Sequence, residues 1–282
     1  MTEQKKRILI LMSDTGGGHR SAAEAIAGAL EREFPEKYNV KLADGIARGA
    51  WFPFNHMAEW YLPVITYGEF WWGVSFHSTN RRGVVRAAQP LLDGMMRRGL
   101  RKLIRQEAPD LVVSVHPLLT ALARRSLRDT GSQAPFVVVV TDLFDAHGSW
   151  FDPKADLTLV PTGGADAAAR RFGVPEDKLR VVGMPVSLKF LSRGRNKSEQ
   201  RAQLGLDPDK TTVLLVGGGE GMGKLFEIAS AISQARLPLQ LVTIAGRNKA
   251  LREKLQAAAW NMPVCVEGFV SNMPDWMRAS DV

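Results

Sequence analysis

The sequence predicts an α/β protein of two units in tandem. Three observations carry that prediction. Short apolar runs of buried-strand type recur along 282 residues, segments of good helix propensity alternate with them, and a glycine loop follows the first strand of each half. The length suits two domains of ordinary size. A content of 45% apolar and 23% charged residues, without a low-complexity tract, is globular.

Ile8–Met12 is short, apolar and flanked by charges, as in a buried parallel strand. Asp14-Thr15-Gly16-Gly17-Gly18-His19-Arg20 comes next, then the Ala-rich helical run Ser21–Leu30, which ends near Phe34-Pro35. Strand, glycines and helix N-terminus converge backbone N–H groups on one spot, and glycine lets a ligand approach the backbone closely. The bland reading is a tight turn of the kind common in α/β proteins. His19 beside Arg20 argues for more, because a bulky charged pair is a poor choice for a turn that only has to close.

Val40–Asp44 reads as the second strand. Aromatic residues then crowd the chain: Trp51, Phe52, Phe54, Trp60, Tyr61, Tyr67, Phe70, Trp71, Trp72 and Phe76. A basic run follows, with Arg81, Arg82, Arg86, Arg97, Arg98, Arg101, Lys102 and Arg105. Aromatic surface followed by clustered cations suits an interfacial contact with an anionic membrane, at about 1 kcal/mol per basic residue near the surface. The alternative is an ordinary core and a solvated helix face. Single-stranded nucleic acid fits less well, since the two residue classes stand in blocks and do not alternate.

Leu111–Val115 is a strand, followed by His116-Pro117 and a helix through Ala121–Leu127. Phe136–Val140, the most hydrophobic strand, runs into Thr141-Asp142 and on to His147 and Trp150. Loops after strand C-termini carry the ligand site in a parallel sheet, so Asp142, His147, Trp150 and His116 are expected on the same edge as His19. Asp156–Pro161 and Leu179–Val186 complete the strands of this half, and Ser192–Ser198 is the expected linker. The second half reads Val213–Val216 (strand), Gly217–Gly223 (loop), Lys224–Ala235 (helix), Gln240–Gly246 (strand and turn) and Met262–Val266 (strand). Gly218–Lys224 has the G-x-x-x-x-G-K spacing of a P-loop, but Leu225 stands where Ser or Thr must ligate Mg²⁺, which argues against an ATPase. Diphosphate binding through loop amides stays open.

A net charge of +8 and a pI near 9.8 favour an anionic partner. One cysteine, Cys265, excludes an internal disulfide framework and a multi-cysteine zinc site and fits a reducing compartment. The apolar part of the N-terminal stretch is too short for a signal peptide or a membrane span, so a cytoplasmic protein is expected.

Several segments together resemble one family, the monogalactosyl- and processive monoglucosyl-diacylglycerol synthases, relatives of the peptidoglycan N-acetylglucosaminyltransferase. They are Ser13–Arg20, Ser114–Pro117, Thr141-Asp-Leu with His147 and Trp150, Gly183–Val186, Gly217–Gly223, and Gly268-Phe-Val with Met273, Trp276-Met277 and Ser280-Asp281. The resemblance implies a GT-B fold, two Rossmann-like domains facing across a cleft, with 1–191 the acceptor and membrane-binding domain and 199–282 a partial nucleotide-sugar domain. The family pattern continues past Ser280-Asp281, so the second domain is expected to be incomplete and the 282-residue chain alone to bind UDP weakly and turn over poorly.

The activity implied is inverting transfer of glucose or galactose from a UDP-sugar to diacylglycerol, with no cofactor or metal required, on the inner face of a membrane held peripherally. By that likeness His19 is the general base and Asp142 supports it or orients the acceptor. Gly16, Gly17, Gly18, Arg20, His116, His147 and Trp150 belong to the acceptor side. Gly217, Gly218, Gly219, Glu220, Gly221 and Met222 approach the UDP phosphates or ribose, with Phe269 and Val270 at the uracil. Trp51, Trp60, Trp71, Trp72, Arg81 and Arg82 would meet the membrane. Two rivals remain: a non-catalytic membrane-binding fragment of such an enzyme, and a nucleic-acid binder driven by charge, which no recognition motif supports.

Overall fold

The computed structural model describes residues 4–14, 17–52, 54–56, 78–191 and 196–282. The chain divides into two compact units, Met1–Leu188 and Lys189–Val282. Gly16, Trp60, Trp71, Trp72 and most of the aromatic block lie outside the described residues, as do 192–195 of the expected linker. Asn196 caps a helix, Lys197–Gln203, so the last two residues read as linker are helical.

In the first unit, β1 (Lys6–Met12) sends alternate side chains to opposite faces, and both faces are buried. Leu9 and Leu11 join one core cluster, and Ile8, Ile10 and Met12 join another. A continuous apolar run is what a strand covered on both sides requires. Six parallel strands follow in the order β2-β1-β3-β4-β5-β6. Besides β1 they are β2 (Tyr38–Asp44), β3 (Leu111–Ser114), β4 (Phe136–Val139), β5 (Leu157–Val160) and β6 (Leu179–Val181). β6 is shorter than Leu179–Val186, because the chain turns at Gly183 (φ 85°) and Pro185 follows.

α1 (Gly18–Glu33) covers one face with Ala22, Ala23, Ala25 and Ala27, whose small side chains let helix and sheet approach closely. Among the described residues the other face is covered by α2 (Gly45–Gly49), α3 (Arg82–Glu107) and α4 (Thr120–Asp129), joined by Ala165, Ala168 and Ala169 of a later helix. Met96, Leu100, Leu103 and Ile104 anchor the C-terminal half of α3 in the core. Part of the basic run thereby acquires a structural use. Arg97 bonds Asp129 at 2.6 and 2.7 Å, and Arg125 bonds Asp93 at 2.6 Å, so the two helices are tied by paired charges. α5 (Gly163–Arg171), capped by Thr162, follows β5.

In the second unit α6 (Lys197–Gln203) precedes a parallel sheet ordered β7-β8-β9, formed by Thr211–Val216, Leu239–Ile244 and Val264–Glu267. β8 is central and buried along its whole length. α7 (Leu225–Gln234) and α8 (Lys249–Ala257) supply Leu225, Ala229 and Leu255 to one cluster. α9 (Met273–Ala279) supplies Trp276 and Ala279 to the other. Asp281 ties the C-terminal residues to this unit: it accepts from the Thr212 amide at 2.8 Å, and pairs with Arg201 and Lys197. Among the described residues no helix is long and apolar enough to cross a membrane.

Candidate functional site

Parallel strands deliver their C-terminal loops to one edge, and on that edge of the first sheet four of the expected side chains meet. α1 begins at Gly18, so His19 stands in its first turn rather than in the loop before it. Its ring lies 4.5 Å from that of His116, edge-on, and 5.7 Å from that of Trp150. Thr141 Oγ1 is 3.3 Å from His19 Nδ1. Trp150 is fully buried, and its Nε1–H donates to Asp142 Oδ2 at 2.8 Å.

Burial of His19 lowers its pKa below the usual histidine value, while the charge of Asp142 and a hydrogen bond to the Val115 backbone pull the other way. The imidazole is therefore neutral at neutral pH and retains some basicity. His116 is held well below the usual value, first by burial and then by repulsion from His19. Its Nδ1 accepts from the Leu118 amide at 3.3 Å, which starts the turn Pro117–Leu119. His116 is thus a buried neutral neighbour with a structural duty.

His147 is set back from this cluster. Its Nδ1 accepts from the Ser149 amide at 3.2 Å, so Nε2 carries the proton and faces Thr79 Oγ1 at 3.1 Å. Burial lowers its pKa too, opposed by Asp142 and Asp145. Arg20 points at carboxylates, forming a two-pronged pair with Asp14 and lying 3.6 Å from Glu24. The Asp14 amide in turn donates to Asp44 Oδ2 at 3.1 Å, and Asp44 caps α2. Gly17 adopts φ 73° at the N-cap of α1, and a Cβ there or at Gly18 would meet open space. Gly17 is required by its backbone conformation, while the space beside both residues is open.

Beside this rim lies an apolar cavity of about 270 Å³ between α3 and α4. Val84, Val85, Leu92, Leu118 and Ala121 form its walls, and Thr79, His147 and Ser149 its polar end. Trp51, Arg81 and Arg82 are exposed, and Arg82 also donates to the Arg171 carbonyl.

The second unit places its glycine loop at the C-terminal end of β7. Gly218, Gly221 and Gly223 all have positive φ. A Cβ on Gly221 would sit 2.0 Å from the Ala245 carbonyl oxygen, so the loop lies directly on the turn after β8. Met222 and Phe269 are exposed beside it, and Val270 is half-buried against the core. Arg247 reaches Glu220 and stacks its guanidinium 4.4 Å from the Phe269 ring centroid. Arg247 escaped the sequence reading, and Thr141 enters it as part of a matching segment without its place beside His19. Each stands at the end of a predicted strand, and that position was the available signal.

The family model for Monogalactosyldiacylglycerol (MGDG) synthase matches residues 19–186. The probable monogalactosyldiacylglycerol synthase 2 of Oryza sativa subsp. indica is 38% identical, across 99% of this chain and 61% of its own length. The monogalactosyldiacylglycerol synthase 1 of Arabidopsis thaliana is 34% identical, across 99% and 54%. Both are described as chloroplastic, and the chain spans little more than half the length of such relatives. Among solved structures, Acinetobacter baumannii MurG aligns over 99% of this chain and 72% of its own at 14% identity and a TM-score of 0.50. Anabaena Alr3699/HepE in complex with UDP-glucose aligns over 98% and 72% at 15% identity and a TM-score of 0.55. This likeness gives the fold, which is GT-B.

Proposed function

The chain belongs to the monogalactosyldiacylglycerol synthase family, and from that premise we propose that it serves inverting transfer of a hexose from a UDP-sugar to the free hydroxyl of diacylglycerol, with His19 as general base. The observation that carries this reading is a neutral, half-buried imidazole on the sheet edge, its basicity held up against burial by the charge of Asp142.

In this reading His19 Nδ1 keeps its proton toward Thr141, and Nε2 carries the lone pair. Nε2 takes the acceptor's hydroxyl proton as the oxygen attacks C1 of the sugar, and the C1–O bond breaks with its electron pair going to the UDP phosphate. Proton abstraction by a positioned side chain is worth about 10²–10⁴-fold. Asp142 acts through charge, its Oδ2 being engaged by Trp150, and steadies the imidazolium formed. The acyl part of the acceptor lies in the apolar cavity, whose polar end holds Thr79, His147 and Ser149. The donor side belongs to Gly217–Gly223, with Phe269 and Val270 at the base. Exposed Trp51 and the cations Arg81 and Arg82 favour a peripheral membrane contact.

The test is transfer of radiolabelled hexose from UDP-glucose or UDP-galactose to diacylglycerol in anionic vesicles. His19→Ala is expected to lower kcat about 10²–10⁴-fold with vesicle binding unchanged. Full activity in that variant would remove His19 from the chemistry. Vesicle binding without transfer to either sugar's product would favour the non-catalytic membrane module.

A further inference from the structure

We propose that Arg247 is the cation that binds the diphosphate of the nucleotide donor, held ready in the unliganded protein by Glu220 and Phe269. This deepens the donor side of the reading above and rests on it.

The backbone fixes Arg247 to the glycine loop. It follows Gly246, whose φ is 58° and whose Cβ would lie 2.5 Å from the carbonyl oxygens of both Gly218 and Gly219. No side chain fits there, so loop and turn are in direct backbone contact. The Arg247 amide then donates to the Gly219 carbonyl at 2.9 Å. A guanidinium starting from that point is set against the loop before any ligand arrives.

The side chain is also oriented. It bonds the Glu220 carboxylate and lies over the Phe269 ring at 4.4 Å from the centroid, yet remains 57% exposed. Stacking and pairing restrict a long, flexible side chain, which lowers the entropy lost when it engages an anion. The guanidinium already donates through Nη1 to an anionic oxygen, Glu220 Oε1, the kind of acceptor a phosphate also presents.

The loop needs such a cation. Some of its amides are used internally, since Gly217 donates to the Ile244 carbonyl at 2.9 Å and Met222 to Gly217 at 2.7 Å. Amides carry partial charge only, whereas a nucleoside diphosphate brings full negative charges that grow as the sugar departs. Lys224 is exposed at the far end of the loop, past Gly223 with φ 85°. Arg247, packed against the loop's middle, exchanges Glu220 for phosphate when the donor binds.

The experiment is calorimetric titration of UDP and, separately, of uridine into the wild-type chain, Arg247→Ala and Arg247→Lys. Arg247→Ala is expected to weaken UDP about 10- to 100-fold, the loss of a charge-assisted bidentate contact, with uridine affinity unchanged. Arg247→Lys restores part of the loss, since charge returns without the fork. Retained uridine binding also shows that the variants fold. Equal loss of UDP and uridine would make Arg247 a contact to the base and overturn the proposal, as would unchanged UDP binding in Arg247→Ala. A wild-type chain that binds neither compound removes the donor reading itself, and this inference with it.

Discussion

Replacing Asp142 by Asn separates the charge of this carboxylate from its hydrogen bond. Asn keeps an oxygen to accept the Trp150 indole N–H, now 2.8 Å from Oδ2, so the packing of the rim is retained. What disappears is the negative charge, which raises the His19 pKa against the larger effect of burial. The sign follows directly. With burial opposed only by the hydrogen bond to the Val115 backbone, the imidazolium is harder to form and the His19 pKa drops further. Both groups are only partly buried, so solvent screens part of the charge effect and burial remains the larger one. The base is neutral above its pKa, so the acid limb of kcat/KM against pH moves to lower pH. A less basic imidazole also lowers the plateau, by about two- to fivefold on Brønsted behaviour. The assay is sugar transfer across about pH 4.5 to 8. A limb and plateau both left unchanged would show that Asp142 works only by holding Trp150, and a limb that moves to higher pH would refute the charge argument.

Two further outcomes test the structure away from the reaction step. His116 is buried with its pKa held well below the unfolded value, so the unfolded chain binds a proton that the folded one refuses. Stability should then fall as pH drops below about 6.5 toward the folded pKa, by at most about 1.4 kcal/mol per pH unit for this group. His116→Asn, which keeps an acceptor for the Leu118 amide, should flatten that part of a urea-midpoint profile, whereas an unchanged slope would assign the proton uptake elsewhere. Gly221→Ala forces a Cβ to within 2.0 Å of the Ala245 carbonyl at φ 66°; a loss of about 2–4 kcal/mol in chemical denaturation is expected, confined to the second unit.

The strand pattern was legible because a sheet covered on both faces needs continuous apolar runs. β1, β3, β4 and β8 announce themselves in this way. Legible for the same reason was the shared edge of His19, His116 and Asp142: parallel strands put all their C-terminal loops together whatever the side chains do. α3 was less legible. Its 26 residues carry many cations and an internal Pro90, and periodicity alone does not show that Arg97 is bound to Asp129 and Asp93. The early stop of β6 was also missed, since a run of valines outweighs Gly183 in a reading by hydrophobicity.

By itself the sequence determined the α/β class, the two glycine loops and the set of titratable residues on one sheet edge, all of which depend on local pattern and chain order. Only the tertiary structure decided what each of those residues experiences. Two histidines with the same intrinsic chemistry part company there: His116 is sealed in with a backbone amide on Nδ1, while His19 keeps a partly open ring under the charge of Asp142. Likewise Arg247 becomes part of the loop at Gly217–Gly223 only because Gly246 permits backbone contact. Burial, ring contact and electrostatic balance arise between segments distant in the chain, and they follow from packing rather than from spacing.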